Sequence, residues 1–128
     1  MPSPSPVPPL AAVGPWTVHD AGHAWDALRV PRQVGLAAKD ILGARCGALL
    51  EGHNGELYYF VTPGSATGWN LLNTTILSAG DSLTVPPLRR AQGPGLHWRI
   101  CPGGGDWLTD GAALRAALED VLSAGRLA

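Results

Sequence analysis

The stretch from Glu56 to Trp98, ELYYFVTPGSATGWNLLNTTILSAGDSLTVPPLRRAQGPGLHW, restricts the fold more than any other part of the chain. Just before it, Gly52-His53-Asn54-Gly55 separates two apolar, β-prone runs, Arg45–Glu51 and Glu56–Val61. Asn-Gly supplies the positive φ angles of a tight turn, so the pair is predicted as an antiparallel hairpin. Leu57 to Val61 show no polar alternation, as expected of a central strand covered on both faces. Thr62 to Asn73 is predicted as a loop. A second hairpin is expected from Thr74–Ala79 and Ser82–Val85 about Gly80-Asp81, with glycine first as a type II′ turn prefers. Pro86-Pro87 must end its outgoing strand, since neither residue can donate to a ladder. After the polar excursion Leu88–Gly95, Leu96–Cys101 returns as a strand.

The flanks complete the pattern. Pro15–His23 leads into a strand at Ala24–Val30, and Pro31 suits the opening of a helix. Val34, Ala37, Ala38, Ile41 and Leu42 recur at helical spacing ahead of a stop at Gly43. Thr109 or Asp110 caps a second helix with Leu114, Ala117, Leu118, Val121 and Leu122 on one face and Gly125 as its stop. Residues 1–13 are a Pro/Ser-rich leader expected to be disordered, and 14–128 form a single domain. The expected fold is α+β: a mostly antiparallel sheet of about five to six strands with two helices packed on one face.

A chain of 128 residues, 45% apolar and 15% charged, fits one globular core. Its formal net charge of −1 gives no general pull towards nucleic acid, which depends on clustered Lys and Arg. Lys39 is the single lysine among nine basic residues, in keeping with the codon usage of a GC-rich genome. Cys46 and Cys101 are expected to be buried thiols. The N-terminal MPSPSPVPPL lacks a basic start and an unbroken apolar run, so neither a signal peptide nor a membrane span is expected, and a cytoplasmic location is predicted.

Tyr58-Tyr59-Phe60, Gly68-Trp69, Gly80-Asp81-Ser82-Leu83-Thr84-Val85-Pro86-Pro87 and Gly95-Leu96-His97-Trp98 together resemble the end of the bifunctional DNA primase/polymerase N-terminal domain, of the archaeo-eukaryotic primase superfamily. The likeness runs from about Ala24 to Trp98, and small stand-alone actinobacterial proteins look similar over nearly their whole length. It implies an RRM-like scaffold. In active members an acidic pair on an early strand, a histidine on a later strand and a further acid hold divalent metals and the incoming nucleotide. Here Asp26 is followed two residues on by Leu28, the histidine position falls nearest Glu56, and Asn73-Thr74-Thr75 stands where the last acid belongs. The resemblance therefore implies a primase/polymerase-like pseudoenzyme with no cofactor and no metal site.

Three functions follow. The first is a non-catalytic module, accessory or regulatory, that binds a nucleotide, a nucleic acid or a protein partner. Its ligand-binding candidates are Arg89, Arg90, His97, Trp98 and Arg29, because guanidinium groups grip phosphate and aromatic rings stack on bases. The second is a small-molecule enzyme using Asp26, Glu56 and His97 as acid-base groups. The third is a purely protein-interacting subunit, such as a homodimer built on an edge strand. Glu51 and Glu56 are expected to face each other if the first hairpin closes on four residues. His19, Asp20 and His23 are read as loop residues, and no nucleophile elbow or phosphate loop is present.

Overall fold

The computed structural model describes residues 17–22, 24–52, 55–71, 73–86, 95–101 and 107–127. The leader, Trp16, His23, His53 and the Arg89-Arg90 excursion lie outside them. Five strands, β2 (Asp26–Val30), β3 (Leu49–Glu51), β4 (Leu57–Val61), β5 (Thr75–Leu77) and β7 (His97–Ile100), form an antiparallel sheet in the order β5-β2-β4-β3-β7. β1 (Thr17–Asp20) and β6 (Ser82–Val85) form a separate antiparallel ribbon. With α1 (Arg32–Leu42) and α2 (Gly111–Leu127), the fold is α+β, as the patterning requires.

Strand alternation divides the core in two. Leu28, Val30, Leu49, Leu57, Tyr59 and Val61 face Ala38 and Leu42 of α1 and Leu114, Ala117 and Leu118 of α2, so both helices cover one face of the sheet. Ala27, Leu50, Phe60 and Trp98 face the other way, against Leu83 and Val85 of the ribbon. There Phe60 packs among Trp25, Trp98 and Trp107, with ring centroids 5.3, 5.9 and 5.6 Å away. Leu57, Tyr59, Phe60 and Val61 are buried and Tyr58 is half-buried, consistent with a central strand.

Two glycines set how closely the layers approach. A Cβ on Gly35 of α1 would come within 2.6 Å of Leu57 Cδ1, so glycine lets the helix lie directly on β4. Tyr59 then donates its hydroxyl to the Gly35 carbonyl at 2.6 Å. Gly47 passes so near Trp107 that a Cβ would fall 2.2 Å from that carbonyl oxygen. Its amide donates to Thr109 Oγ1 at 2.9 Å, and the Ala48 amide donates to the Trp107 carbonyl at 2.8 Å.

Several local expectations need correction. The chain turns at Ala79-Gly80, one residue earlier than expected and with glycine second, since the Asp81 amide donates to the Ser78 carbonyl; Asp81 Oδ2 accepts the Ser78 amide. The strands flanking this turn nevertheless do not pair: β5 joins β2, and β6 leaves to join β1. Longer-range contacts decide this, since the Ala21 amide donates to the Asp81 carbonyl and Gly22 packs against the Ala79 backbone. Of the predicted α1 face, Ile41 is instead exposed, and Gly43 ends the helix at φ 57 as expected. Asp110 Oδ2 caps α2 by accepting the Ala113 amide, while Thr109 is buried in the Gly47 contact. α2 continues through Gly125 to Leu127. Cys46 is half-buried and Cys101 is exposed, where two buried thiols were expected. Among the described residues no helix is long and apolar enough to cross a membrane.

Candidate functional site

At the end of the sheet where β2 runs into α1, an open cleft of about 610 Å³ is lined by Arg29, Val30, Pro31, Arg32, Gly55, Glu56 and the segment Asn73–Thr75. Pro31 sets its floor. With φ −58 and ψ 149 it turns the chain from strand to helix in one residue, which brings both Arg29 and Arg32 into the lining of the cleft. The first turn of α1 contains no acidic residue and Pro31 offers no side-chain cap, so the amide end of the helix opens here without a carboxylate of its own. Asn73 also lines the cleft, at φ 58, a left-handed conformation that asparagine tolerates better than most residues.

Each arginine is held from behind. Arg29 Nε lies 3.2 Å from Glu56 Oε2, with Arg29 Nη2 3.5 Å from Thr75 Oγ1. Arg32 Nε lies 3.5 Å from Glu51 Oε2. Glu51 is a hub: its Oε1 also accepts from Arg99 Nε at 2.7 Å and faces His97 Nε2 at 3.7 Å. The register explains the hub, because Glu51 lies opposite Leu57 on one side and His97 on the other, on the helix face of β3. β7 shifts register between Leu49 and Leu50, leaving Arg99 with no opposite residue and within reach of Glu51.

That register also separates the two acids expected to face each other. Glu56 precedes Leu57 and therefore points to the other face from Glu51, and the two carboxylates take different arginines, Arg29 on Glu56 and Arg32 with Arg99 on Glu51. Asp26 is opposite Val61, five residues along β4 from Glu56, a distance of about 17 Å along the strand. His97 is two strands from β4, so it lies about 10 Å from it. Asp26, Glu56 and His97 thus form no common acid-base site. Asp26 is buried, with Oδ2 accepting the Gly64 amide at 2.8 Å and Oδ1 without a hydrogen-bond partner.

Trp98, expected as a stacking surface, is fully buried and donates Nε1 to the Pro86 carbonyl at 3.3 Å, so it has no face to offer a base. His97 is half-buried, with Nδ1 2.7 Å from the Gly95 carbonyl. Arg89 and Arg90 lie outside the described residues. No cluster of three or more His, Cys, Asp or Glu with metal-holding geometry occurs among the described residues. Sequence reading included Arg29 but missed Arg32 and the Glu51 hub. The available signal was two arginines three apart across a strand-Pro-helix junction.

A second hollow, of about 440 Å³, is lined by Arg45, Cys46, Gly47, Leu108, Asp110 and Ala113. Burial pushes the Cys46 thiol up from its ordinary value, outweighing nearby Lys39 and the hydrogen bond with Thr109, so the thiol is a poor nucleophile. No protein-family model, curated protein or solved structure matches the chain.

Proposed function

We propose that this chain is a cytoplasmic, non-catalytic, primase/polymerase-like binding module, accessory or regulatory in role, that takes the phosphate of a nucleotide-type ligand in the cleft beside α1. The observation that carries this reading is that Arg29 and Arg32 both line the cleft and each is anchored through Nε by a carboxylate, Glu56 in the cleft lining and Glu51 behind it on β3. Such anchoring fixes the guanidinium plane beforehand and leaves its outer N–H edge for an oxyanion, lowering the ordering cost of binding. The acid-free first turn of α1 adds donors of the same sign.

Other ligands fit less well. The cleft arginines Arg29 and Arg32 each face a glutamate, and a chain of net charge −1 exerts no general pull on a nucleic-acid strand. Ile41 is the only exposed large hydrophobic residue among those described, which gives a protein partner little apolar surface there. The separation of Asp26, Glu56 and His97 argues against the small-molecule enzyme.

The test is a thermal-shift screen of nucleotides and inorganic phosphate, with and without Mg²⁺, at low salt. A ligand of the native state must raise the midpoint. The expected result is a rise that disappears in Arg29→Ala/Arg32→Ala. No rise with any phosphate compound, or a rise that survives the double substitution, contradicts the assignment. Arg89→Ala/Arg90→Ala tests whether the excursion before β7 adds to the same site.

A further inference from the structure

Arg32 does not have Glu51 to itself. Among the described residues, the charged groups facing His97 are Glu51 from β3, Arg99 on its own strand and, through Glu51, Arg32 at the start of α1. His97 Nδ1 lies 2.7 Å from the Gly95 carbonyl oxygen, which can only accept, so Nδ1 carries the hydrogen. Neutral His97 must therefore turn a bare Nε2 lone pair towards the Glu51 carboxylate 3.7 Å away. Only the imidazolium has a proton at Nε2 to give to Glu51.

We infer that oxyanion binding in the Arg29-Arg32 cleft is coupled to proton uptake at His97 through Glu51; the inference rests on the cleft taking an oxyanion. A proton on Nε2 adds a cationic partner to the carboxylate that holds Arg32. Glu51 then offsets less of the Arg32 charge, and an anion on the outer edge of Arg32 is held more tightly. The reverse must also hold: an anion that draws Arg32 outwards leaves Glu51 more dependent on His97 and raises the affinity of Nε2 for its proton. The residue thus regulates the cleft from behind without touching the ligand, which makes it a positioning residue.

Sulfate is the suitable probe, because its charge is constant over the range in which histidines change theirs. The full chain is titrated with sulfate at about pH 5.5 and about pH 8, above the ordinary range of carboxylates, following the Arg32 side-chain N–H resonances by NMR. Binding is expected to be about three- to tenfold tighter at the lower pH. His97→Gln should bring that ratio to about one, while Arg115→Gln, on α2 and paired with Glu119, should leave it intact. In the unmodified protein, saturating sulfate should move the His97 imidazole titration to higher pH. Equal affinity at both pH values, a ratio that persists in His97→Gln, or an imidazole titration indifferent to sulfate overturns the coupling while leaving the cleft standing. Absence of saturable sulfate binding at either pH removes the cleft assignment and the coupling with it.

Discussion

Arg32 and Glu51 meet at 3.5 Å between the first turn of α1 and the last residue of β3, joining the cleft lining to an interior strand of the sheet. The contact is one spoke of a hub, with Arg99 at 2.7 Å on the other carboxylate oxygen. The side chain of Glu51 is 15% exposed and those of Arg32 and Arg99 are 49% and 30% exposed, so solvent screens much of each attraction.

Glu51→Ala is accordingly expected to cost about 1–2 kcal/mol in urea unfolding, more than a single surface pair because Arg32 and Arg99 both lose one acceptor. Arg115→Ala, which removes only the exposed pair with Glu119 and the contact of Arg115 with the Trp69 ring, is expected to cost about 0.5–1 kcal/mol. Equal losses would contradict the hub.

The Tyr59 hydroxyl, buried against the Gly35 carbonyl, is pushed well above its ordinary range, first by burial and then by the neighbouring Cys46 and Asp40. Because the folded state holds this proton more tightly than the unfolded chain, the stabilisation is complete below about pH 10 and is lost as pH rises above it. Tyr59→Phe is predicted to cost about 1 kcal/mol at neutral pH and to flatten the alkaline part of the stability profile, measured by urea unfolding between pH 8 and about 11. An unchanged alkaline slope counts against the assignment.

Gly35→Ala improves intrinsic helix propensity by about 1 kcal/mol, yet a Cβ there meets Leu57 Cδ1 at 2.6 Å and Cβ at 2.9 Å. Overpacking is expected to win, with a net loss of about 1–2 kcal/mol. Gly47→Ala, whose Cβ meets the Trp107 backbone rather than the end of a side chain, should cost more. Calorimetry in which Gly35→Ala is as stable as the parent contradicts the packing of α1 on β4, and a Gly47→Ala loss no larger than that of Gly35→Ala contradicts the close passage of Gly47 by Trp107.

Asp26 contributes one made hydrogen bond and one buried oxygen without a partner. Asp26→Asn keeps an acceptor for the Gly64 amide and removes the buried charge, so its stability should equal or exceed that of the parent chain. Asp26→Ala leaves that amide unsatisfied and should lose about 1–3 kcal/mol. If asparagine destabilises as much as alanine, the carboxylate charge itself is required.

The parts of the fold legible in the sequence are those fixed by adjacent residues. The unbroken apolar run Leu57–Val61 and the Pro31-to-Gly43 helix both occupy the expected places, because local pattern and tertiary burial agree there. A turn at Gly80 was legible, though not its position one residue earlier, and the partners of β5 and β6 were not. Those strands are directed by β1 and β2, which lie more than forty residues earlier in the chain. The site follows the same division. Arg29 could be singled out by residue type, whereas the partnership of Glu51 with Arg32 depends on Glu51 lying opposite Leu57 instead of Glu56. Trp98 shows the limit of reading by type alone, since an aromatic suited to stacking is equally suited to fill the core around Phe60.

The most direct measurement is the response of individual arginine side-chain N–H resonances to a titration with ATP at low salt. The cleft assignment predicts that Arg29 and Arg32 shift together and saturate at a common dissociation constant, while Arg115, paired with Glu119 on α2, stays in place. Uniform, non-saturating shifts at all arginines, or saturation at Arg115 with Arg29 and Arg32 unmoved, would contradict it.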